Sequence, residues 1–382
     1  MKKILPLVLA VCVLLCGCKH NIPTNEVATE PTIPEVTIDE VTTPTEETHT
    51  VQTEPAEEVY PQLPMNAIAL PIVTEIGENQ DNCFTYQDIY LFCQDQEVAD
   101  RIILDFLNRQ DEHRNIAASV NKYEILLEPM RLDDFVLSLF GNSVSHQGAH
   151  HPVVESQSAN YNMLTGEVLT LGSILKDSNA LQKIYEQMLI VAESAVEEKQ
   201  LYPDYAQVIA DRFTRNPSFD EDWFFSPSGL SFYFEPYEIA PYTAGVVILE
   251  IPYEQLAGLI NDSFFPAEED QSEGRLAIEP MADVNLADYS QIAEINLTGN
   301  SDSLFIYCEG LLRDIRIECT EDSSTTVTTT IFAAHTLSPG DGIIVKYDRL
   351  NAPSSLLVTY RSAQETFTQR LSLSENGSFV LS

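Results

Sequence analysis

The last hundred residues of the chain alternate short apolar runs with turn signals, and this pattern constrains the fold more than any other feature. The runs IAEINLTG, SLFIYCEG, RDIRIECT, GIIVKYD and SSLLVTYRS are punctuated by GNSD, SPGDG, NAPS and SENG. Turn signals recurring about every 8 to 12 residues or somewhat more are typical of an antiparallel sandwich. Because no long helical pattern intervenes, we predict a small all-β, sandwich-like C-terminal domain over residues 286–382.

Upstream of this region, helical and strand patterns alternate, which predicts an α+β fold in which helices pack on an antiparallel sheet. A helical stripe begins at Val98, after Asp95 as a candidate N-cap, and a longer stripe runs from Leu181 to Ala192. The runs KYEILLEP, FVLSLFGNSVSH and LSFYFEP resemble strands. We expect an N-terminal α+β subdomain at 65–135, a second α+β domain at 136–262 and a linker, containing the acidic PAEEDQSEG, at 263–285.

The first residues have the order of a bacterial signal peptide, which we assign to residues 1–17. Two lysines precede the apolar run Ile4 to Leu15, and LCGC closes it. About a dozen apolar residues are too few to span roughly 30 Å of hydrocarbon as a helix. LCGC resembles the lipobox of bacterial lipoproteins, in which the last cysteine is acylated. We therefore expect lipidation at Cys18 and an extracytoplasmic protein bound to the cell membrane through its lipid anchor.

Residues 18–64 are rich in Thr, Pro and Glu, with PTIPEV, TTPTEE and QTEPAEEV as near-repeats. Proline removes backbone donors, and glutamates repel one another, so this composition opposes collapse onto a core. We predict a disordered tether that holds the folded part away from the membrane.

The net charge of -39 restricts the classes of partner. Nucleic-acid binding needs a basic stripe, which is missing, so we expect no nucleic-acid partner. An acidic surface attracts basic proteins by long-range steering, but the same charge also favours solubility alone. Both interpretations stay open at this point.

Four cysteines follow the tether and fall into two local pairs, Cys83 with Cys93 and Cys308 with Cys319. In an oxidising exterior each pair could close a disulfide across a hairpin, while four cysteines permit three connectivities. Free buried thiols are an equal alternative. A structural zinc site usually shows closer CxxC spacing.

Two clusters invite a chemical interpretation, and neither is specific. HQGAHH places His146, His150 and His151 close together, but Gly148 favours a loop rather than a metal-binding helix. Glu235 and Glu238 form an acid pair of the kind that glycosidases use, although acids are abundant in this chain and FYFEPYEIAPY equally fits a core strand and its turn. The common catalytic templates are missing, so we expect no enzyme, metal or cofactor.

Two long segments carry a family resemblance, GAHHPVVESQSANYNMLTGEVLTLGSIL and LSFYFEPYEIAPYTAGVVILEIPYEQL. They resemble an extracytoplasmic domain found in lysozyme-sensing anti-sigma factors and in the non-catalytic region of membrane-anchored peptidoglycan deacetylases. The resemblance implies an α+β domain that recognises a wall-associated ligand or protein. Neither a membrane-spanning helix nor a deacetylase segment accompanies it in this sequence, so we expect a binding module.

The function expected from these observations is that of a surface-anchored, non-catalytic lipoprotein that binds cell-wall material or a basic protein such as lysozyme. The alternative is an accessory or catalytic peptidoglycan-modifying protein, either deacetylase-like or a hydrolase. Four residues are candidate ligand contacts, and we expect the two tyrosines among them to be exposed: Tyr237, Glu238, Tyr242 and His150.

Overall fold

The structure is a computed structural model that describes most of the chain beyond residue 64. The described residues are 65–76, 83–117, 120, 122–146, 152–215, 222–267, 273–320, 328–350, 352–363, 365–374 and 376–382. The predicted signal peptide, Cys18 and the tether lie outside these ranges. No helix of the described part is long and apolar enough to cross a membrane.

The described residues form strands and helices with the following bounds. The strands are β1 Ala67–Ala69, β2 Ile72–Ile76, β3 Cys83–Gln87, β4 Tyr90–Phe92, β5 Lys122–Leu132, β6 Val136–His146, β7 Val153–Asn162, β8 Trp223–Phe225, β9 Gly229–Phe234, β10 Val247–Pro252, β11 Gly274–Pro280, β12 Gln291–Asn296, β13 Asp302–Gly310, β14 Leu312–Thr320, β15 Thr329–Leu337, β16 Asp341–Tyr347, β17 Ser355–Ser362, β18 Glu365–Leu373 and β19 Phe379–Leu381. The α-helices are α1 Gln96–Ala117, α2 Leu171–Ile174, α3 Ala180–Lys199, α4 Tyr205–Arg215 and α5 Tyr253–Leu256.

The first part of the fold consists of a five-stranded sheet and the helix α1, which packs on it. The strand order is β2-β3-β5-β6-β7, and all neighbours are antiparallel except β3 and β5. The Asp95 carboxylate caps α1 by accepting hydrogen bonds from the backbone N–H groups of Glu97 (2.9 Å) and Val98 (3.4 Å). Ile102 and Phe106 on the apolar stripe of α1 are fully buried in one cluster with Leu139 of β6. The predicted amphipathic helix is confirmed, because its stripe covers the sheet.

A three-stranded antiparallel sheet, in the order β10-β9-β8, forms the centre of the second core. Every residue of β9 is buried. Ile184, Met188 and Ala192 of α3 have no exposed surface and share this core with Phe232 of β9 and Ile251 of β10. The predicted stripe on α3 therefore packs on the sheet, as expected for an amphipathic helix over a strand layer.

The C-terminal part is a sandwich of two sheets. Their orders are β19-β18-β17-β14-β15-β1-β4 and β11-β13-β16-β12, with β12 and β16 parallel and the other neighbours antiparallel. One apolar cluster fills the space between the sheets, including Ile306, Ile317, Phe332 and Val345. The predicted α+β fold class with a sandwich-like C-terminal domain is confirmed.

The predicted domain boundaries within residues 65–382 need correction, because hydrogen-bonded strand pairs cross them. The boundary at 135/136 falls inside the five-stranded sheet, where β5 pairs with β6 over Lys122–Leu132. The predicted 263–285 linker contains β11, which pairs with β13. β1 and β4, from the predicted N-terminal subdomain, complete the large sandwich sheet beside β15. Strand pairing joins segments far apart in sequence, and local composition does not reveal it.

The disulfide hypothesis also needs correction, since Cys83, Cys93, Cys308 and Cys319 are all free thiols. The predicted hairpins do not form. Cys83 lies on β3 of the five-stranded sheet, whereas Cys93 follows β4 of the sandwich. Cys308 and Cys319 lie on opposite sheets of the sandwich, in β13 and β14. The Cys308 thiol donates a hydrogen bond to the Leu337 carbonyl (3.2 Å), and burial raises the pKa of this thiol to about 12.

Candidate functional site

The loop between β9 and β10, residues 235–246, contains three of the four predicted contact residues and is called here the tyrosine loop. β9 ends at Phe234, and the loop then makes two tight turns: Glu238 N–H donates to Glu235 O (3.0 Å) and Tyr237 N–H donates to Ala240 O (3.0 Å). Ile239 and Ala240 at the middle of the loop are buried in the core. The loop therefore has an apolar base that fixes it to the domain, while Tyr237 and Tyr242 are exposed.

An arginine outside the loop fixes its conformation. Arg212 of α4 lies 3.1 Å from the Glu238 carboxylate and 2.7 Å from that of Asp222, and it donates to the Tyr233 carbonyl (3.0 Å). Its guanidinium also lies over the Phe234 ring, 4.9 Å from the centroid. The Glu238 carboxylate in turn accepts a hydrogen bond from the Glu235 N–H (3.0 Å). Charge-assisted contacts of this kind, partly shielded from water, hold a loop in one geometry.

Tyr237 and Tyr242 form the exposed part of the tyrosine loop. The two residues are 67% and 40% exposed, as expected from the sequence. Their rings stack with centroids 5.5 Å apart and an interplanar angle of 28°. An offset stack of two tyrosines forms a rigid apolar surface with polar hydroxyl edges, which suits an amphipathic ligand. We call this pair of rings the tyrosine platform.

The backbone at Tyr237 is in the left-handed region, with φ of 73°. A bulky residue rarely adopts this conformation, because its Cβ crowds the backbone, and it costs on the order of 1 kcal/mol or more. Glycine would avoid this cost but would remove the ring from the platform. Strain retained at an exposed aromatic residue, with Arg212 and Glu238 holding the loop, is typical of a binding site.

The two acids of the predicted pair, Glu235 and Glu238, both stabilise the conformation of the tyrosine loop. Glu238 binds Arg212 and the Glu235 N–H, as described above. The Glu235 carboxylate accepts a hydrogen bond from the Ser156 N–H of β7 (2.6 Å), and burial raises the pKa of this carboxyl. Glu238 therefore positions the loop, and its predicted role as a ligand contact stays a prediction.

The structure describes one of the three residues in the predicted histidine cluster. His146 ends β6 and is exposed, whereas His150 and His151 lie outside the described residues. Within the described ranges, no three His, Cys, Asp or Glu side chains are close enough together to hold a metal ion. Arg212 is the residue that sequence reasoning missed, because a single arginine far from the loop in sequence has no motif to mark it.

One family model matches the segment that contains this site. Residues 173–254 match a family described as protein of unknown function (DUF3298), and this segment includes both Arg212 and the tyrosine loop. No curated protein matches the chain significantly.

Two solved structures of DUF3298 family proteins are similar to about half of the chain. One, from Pseudomonas aeruginosa PAO1, is 18% identical and has a TM-score of 0.39, with 54% of this chain and 98% of that protein covered. The other, from Bacteroides fragilis NCTC 9343, is 14% identical and has a TM-score of 0.36, with coverage of 51% and 94%.

Proposed function

We propose that this protein is a non-catalytic binding module, exported and lipid-anchored at Cys18, that recognises cell-wall glycan through the tyrosine platform. The observation that carries the proposal is the exposed stack of Tyr237 and Tyr242 on a loop that Arg212 holds rigid. The C–H groups on one face of a pyranose ring form an apolar surface, and aromatic rings pack against such surfaces.

The platform meets two requirements of a glycan site. Its rings are presented together, so a sugar can pack on an outward ring face while the stacked neighbour supports that ring. The rigid loop limits the conformational entropy that binding has to overcome. Tyrosine provides contact area with few rotatable bonds and a hydroxyl that hydrogen-bonds to sugar hydroxyls.

The proposal is tested by co-sedimentation with insoluble peptidoglycan and by titration with N-acetylglucosamine oligosaccharides. We expect Tyr237→Ala and Tyr242→Ala each to weaken binding about tenfold, because stacking on one aromatic ring contributes roughly 1–3 kcal/mol in comparable sites. Tyr237→Phe keeps the ring and should retain most of the affinity.

Tyr90→Ala is the matched control, since Tyr90 is 50% exposed but belongs to β4 of the sandwich. It should bind as the unmodified protein does. Two outcomes would contradict a role of the platform in binding. In one, the control loses binding. In the other, all three alanine variants bind as tightly as the unmodified protein. Circular dichroism of each variant separates a binding defect from unfolding.

A basic wall-associated protein such as lysozyme is the second candidate ligand, favoured by the net charge of -39. Electrostatic steering toward such a surface weakens as salt screens the charges. Binding to immobilised lysozyme should then fall steeply between about 50 and 300 mM salt, and the tyrosine variants should leave it unchanged. Glycan binding has the opposite profile, with little salt dependence and a strong effect of the tyrosines.

A further inference from the structure

A cavity of about 340 Å³ lies where the β5–β6 turn meets the large sheet of the sandwich. Residues 129–133 form one wall, and β14, β15 and β17 form the other, with Pro227 and Pro266 at the rim. We call this cavity the arginine cleft. Its volume is at the lower end of the roughly 300–1,000 Å³ that is usual for small-molecule sites.

The charge of the arginine cleft is opposite to that of the whole chain. The chain has 59 acidic residues against 20 lysines and arginines, of which twelve are arginine. Four of those arginines line this one cleft, and only two acids accompany them, Asp133 and Asp314. The rest of the lining is largely apolar. The arginines are as follows: Arg131, Arg313, Arg316 and Arg361.

Arg131 is buried and held in place by several contacts, but one of its nitrogen atoms, Nη2, has no hydrogen-bond acceptor among the described residues. Its side chain is 5% exposed, and its Nε lies 2.6 Å from the Asp133 carboxylate. Nη1 donates to the Tyr253 hydroxyl (2.7 Å) and to the Phe264 carbonyl (2.6 Å). Nη2 is buried and has no hydrogen-bond partner among the described residues. A buried cationic donor without an acceptor is costly, so it indicates a position for an external acceptor.

The opposite wall of the cleft carries a second donor without a partner, on Arg313, at a β-bulge in β14. The pairing of β14 with β17 shifts register between Arg313 and Arg316, and Asp314 within this bulge has φ of 49°. The Asp314 carboxylate lies 2.8 Å from Nε of Arg361 and 4.0 Å from Nδ1 of His335. The Nε of Arg313 is buried, with no hydrogen-bond partner in the described part of the chain. Bulges commonly re-aim side chains beside binding sites.

We propose that the arginine cleft binds the carboxylate of a small ligand with a short apolar body, and this inference is independent of the glycan proposal. A carboxylate has two oxygens, which can accept from two separate guanidinium donors such as those of Arg131 and Arg313. Met130 and Pro227, which keep accessible surface, are among the apolar lining residues that would contact the rest of the ligand.

A monoanion fits this lining better than a phosphate group. The cleft has two buried donors without partners among the described residues, Nη2 of Arg131 and Nε of Arg313, which match the two oxygens of a carboxylate, whereas a phosphate group presents three or four oxygens. Arginine clusters bind phosphate as well as carboxylate, but phosphate sites commonly add backbone N–H groups at a helix N-terminus, and strands rather than helices line this cleft.

The experiment is isothermal titration of the full chain with acetyl-capped dipeptides and short-chain fatty acids. Each peptide is also tested as its C-terminal amide, and inorganic phosphate serves as the competing anion. We expect the free carboxylates to bind and the amides to lose at least about tenfold in affinity, because a charge-assisted hydrogen bond is replaced by an unpaired donor. Stronger binding of peptides than of fatty acids identifies a peptide C-terminus as the ligand, and the reverse order identifies a free acid.

Arg313→Gln is the main variant, since it removes an unpaired donor, and it should weaken carboxylate binding about tenfold. Arg275→Gln, which removes an exposed charge from β11 outside the cleft, is the control and should bind normally. Arg131→Gln is a less suitable test because it breaks a buried ion pair that the fold needs. Equal affinity for acid and amide, unchanged binding by Arg313→Gln, or phosphate binding as tightly as the carboxylates would each overturn the proposal.

Discussion

At the scale of single residues, buried polar side chains join the layers of the molecule. Asn160 of β7 accepts a hydrogen bond from the Ser138 hydroxyl (2.6 Å) and donates to the Trp223 carbonyl (2.9 Å). The Phe225 N–H completes the network by donating to Ser138 Oγ (2.9 Å). The five-stranded sheet is thereby hydrogen-bonded to β8, and the stacked rings of Phe140 and Phe224 (centroids 4.3 Å apart) reinforce the contact.

Asn160→Ala should lower the free energy of unfolding by about 2–4 kcal/mol, because it leaves the Ser138 hydroxyl and the Trp223 carbonyl buried with fewer partners. Urea denaturation measures the change. Asn142→Ala is the control on the same sheet, since Asn142 is exposed, and it should cost less than about 0.5 kcal/mol. Equal effects of the two substitutions would show that the network contributes nothing beyond an ordinary surface contact.

Asp341 makes the stability of the sandwich depend on pH, in a direction that its pKa fixes. The carboxylate is buried and accepts from the Ser338 N–H (2.8 Å) and from Gln291 Nε2 (3.1 Å). Burial raises its pKa from 3.8 to about 6. The folded state therefore holds the proton more tightly than the unfolded state. The stability that Asp341 contributes is complete below about pH 3.8 and is lost as the pH rises through about 6.

The prediction is that the unmodified protein loses roughly 2–3 kcal/mol more than Asp341→Asn between pH 4.5 and 7.5. The comparison of the two proteins cancels the contributions of Glu128 and Glu235, whose pKa values are also raised by burial. Urea midpoints at half-unit pH intervals provide the measurement. Parallel profiles for the two proteins would assign the pH dependence to other groups.

At the scale of elements, turns decide how the layers approach one another. The turn after β7 places Gly166 against α1, with φ of 73°. A Cβ at this position would lie 2.8 Å from the Val98 carbonyl oxygen and 3.0 Å from the Arg101 Cβ. Glycine is needed for two reasons, the left-handed backbone and the close approach of the helix.

Gly166→Ala should therefore destabilise the protein by about 2–4 kcal/mol. Gly258→Ala is the matched control, because Gly258 has φ of 77° but a Cβ there meets nothing within 4 Å. It should cost only the backbone strain, about 1 kcal/mol. The difference between their thermal midpoints measures the contact with α1, and identical midpoints would mean that the helix moves aside freely.

At the scale of the whole molecule, the sandwich depends on strands from the other end of the folded region. β1 pairs with β15 through Ala67–Ala69, and Met65, Ala67 and Ala69 lie in the sandwich core. The Glu128 carboxylate of β5 also accepts from the Thr330 N–H of β15 (3.1 Å). These contacts connect the sandwich to the α+β part of the chain.

A fragment of residues 286–382 should lack cooperative unfolding and should aggregate, whereas 65–382 should fold. The fragment lacks β1, β4 and β11, which leaves β13 and β15 with unpaired edges and an open core. Heat-capacity scans and size-exclusion chromatography distinguish these states. A monomeric fragment as stable as 65–382 would show that the added strands are dispensable.

The elements and much of the tyrosine loop could be predicted from local pattern. Apolar spacing predicted α1 and α3, and the runs after residue 286 predicted the C-terminal strands, because solvent-facing and core-facing residues alternate with the period of each element. The exposure of Tyr237 and Tyr242 was also predicted. The pairing of β1 with β15 was not, because it joins residues more than 260 positions apart through backbone hydrogen bonds that any sequence can form.

The sequence by itself determined the class of most elements, although not of β11, and the acidic balance of the chain, since both follow from local pattern and composition. Only the tertiary structure decided which side chains meet. Arg212 reaches the tyrosine loop from another helix, and the arginine cleft brings Arg131 together with arginines of the sandwich. The physical reason is that a contact between distant segments depends on how whole layers pack, whereas helix and strand periodicity depends only on neighbouring residues.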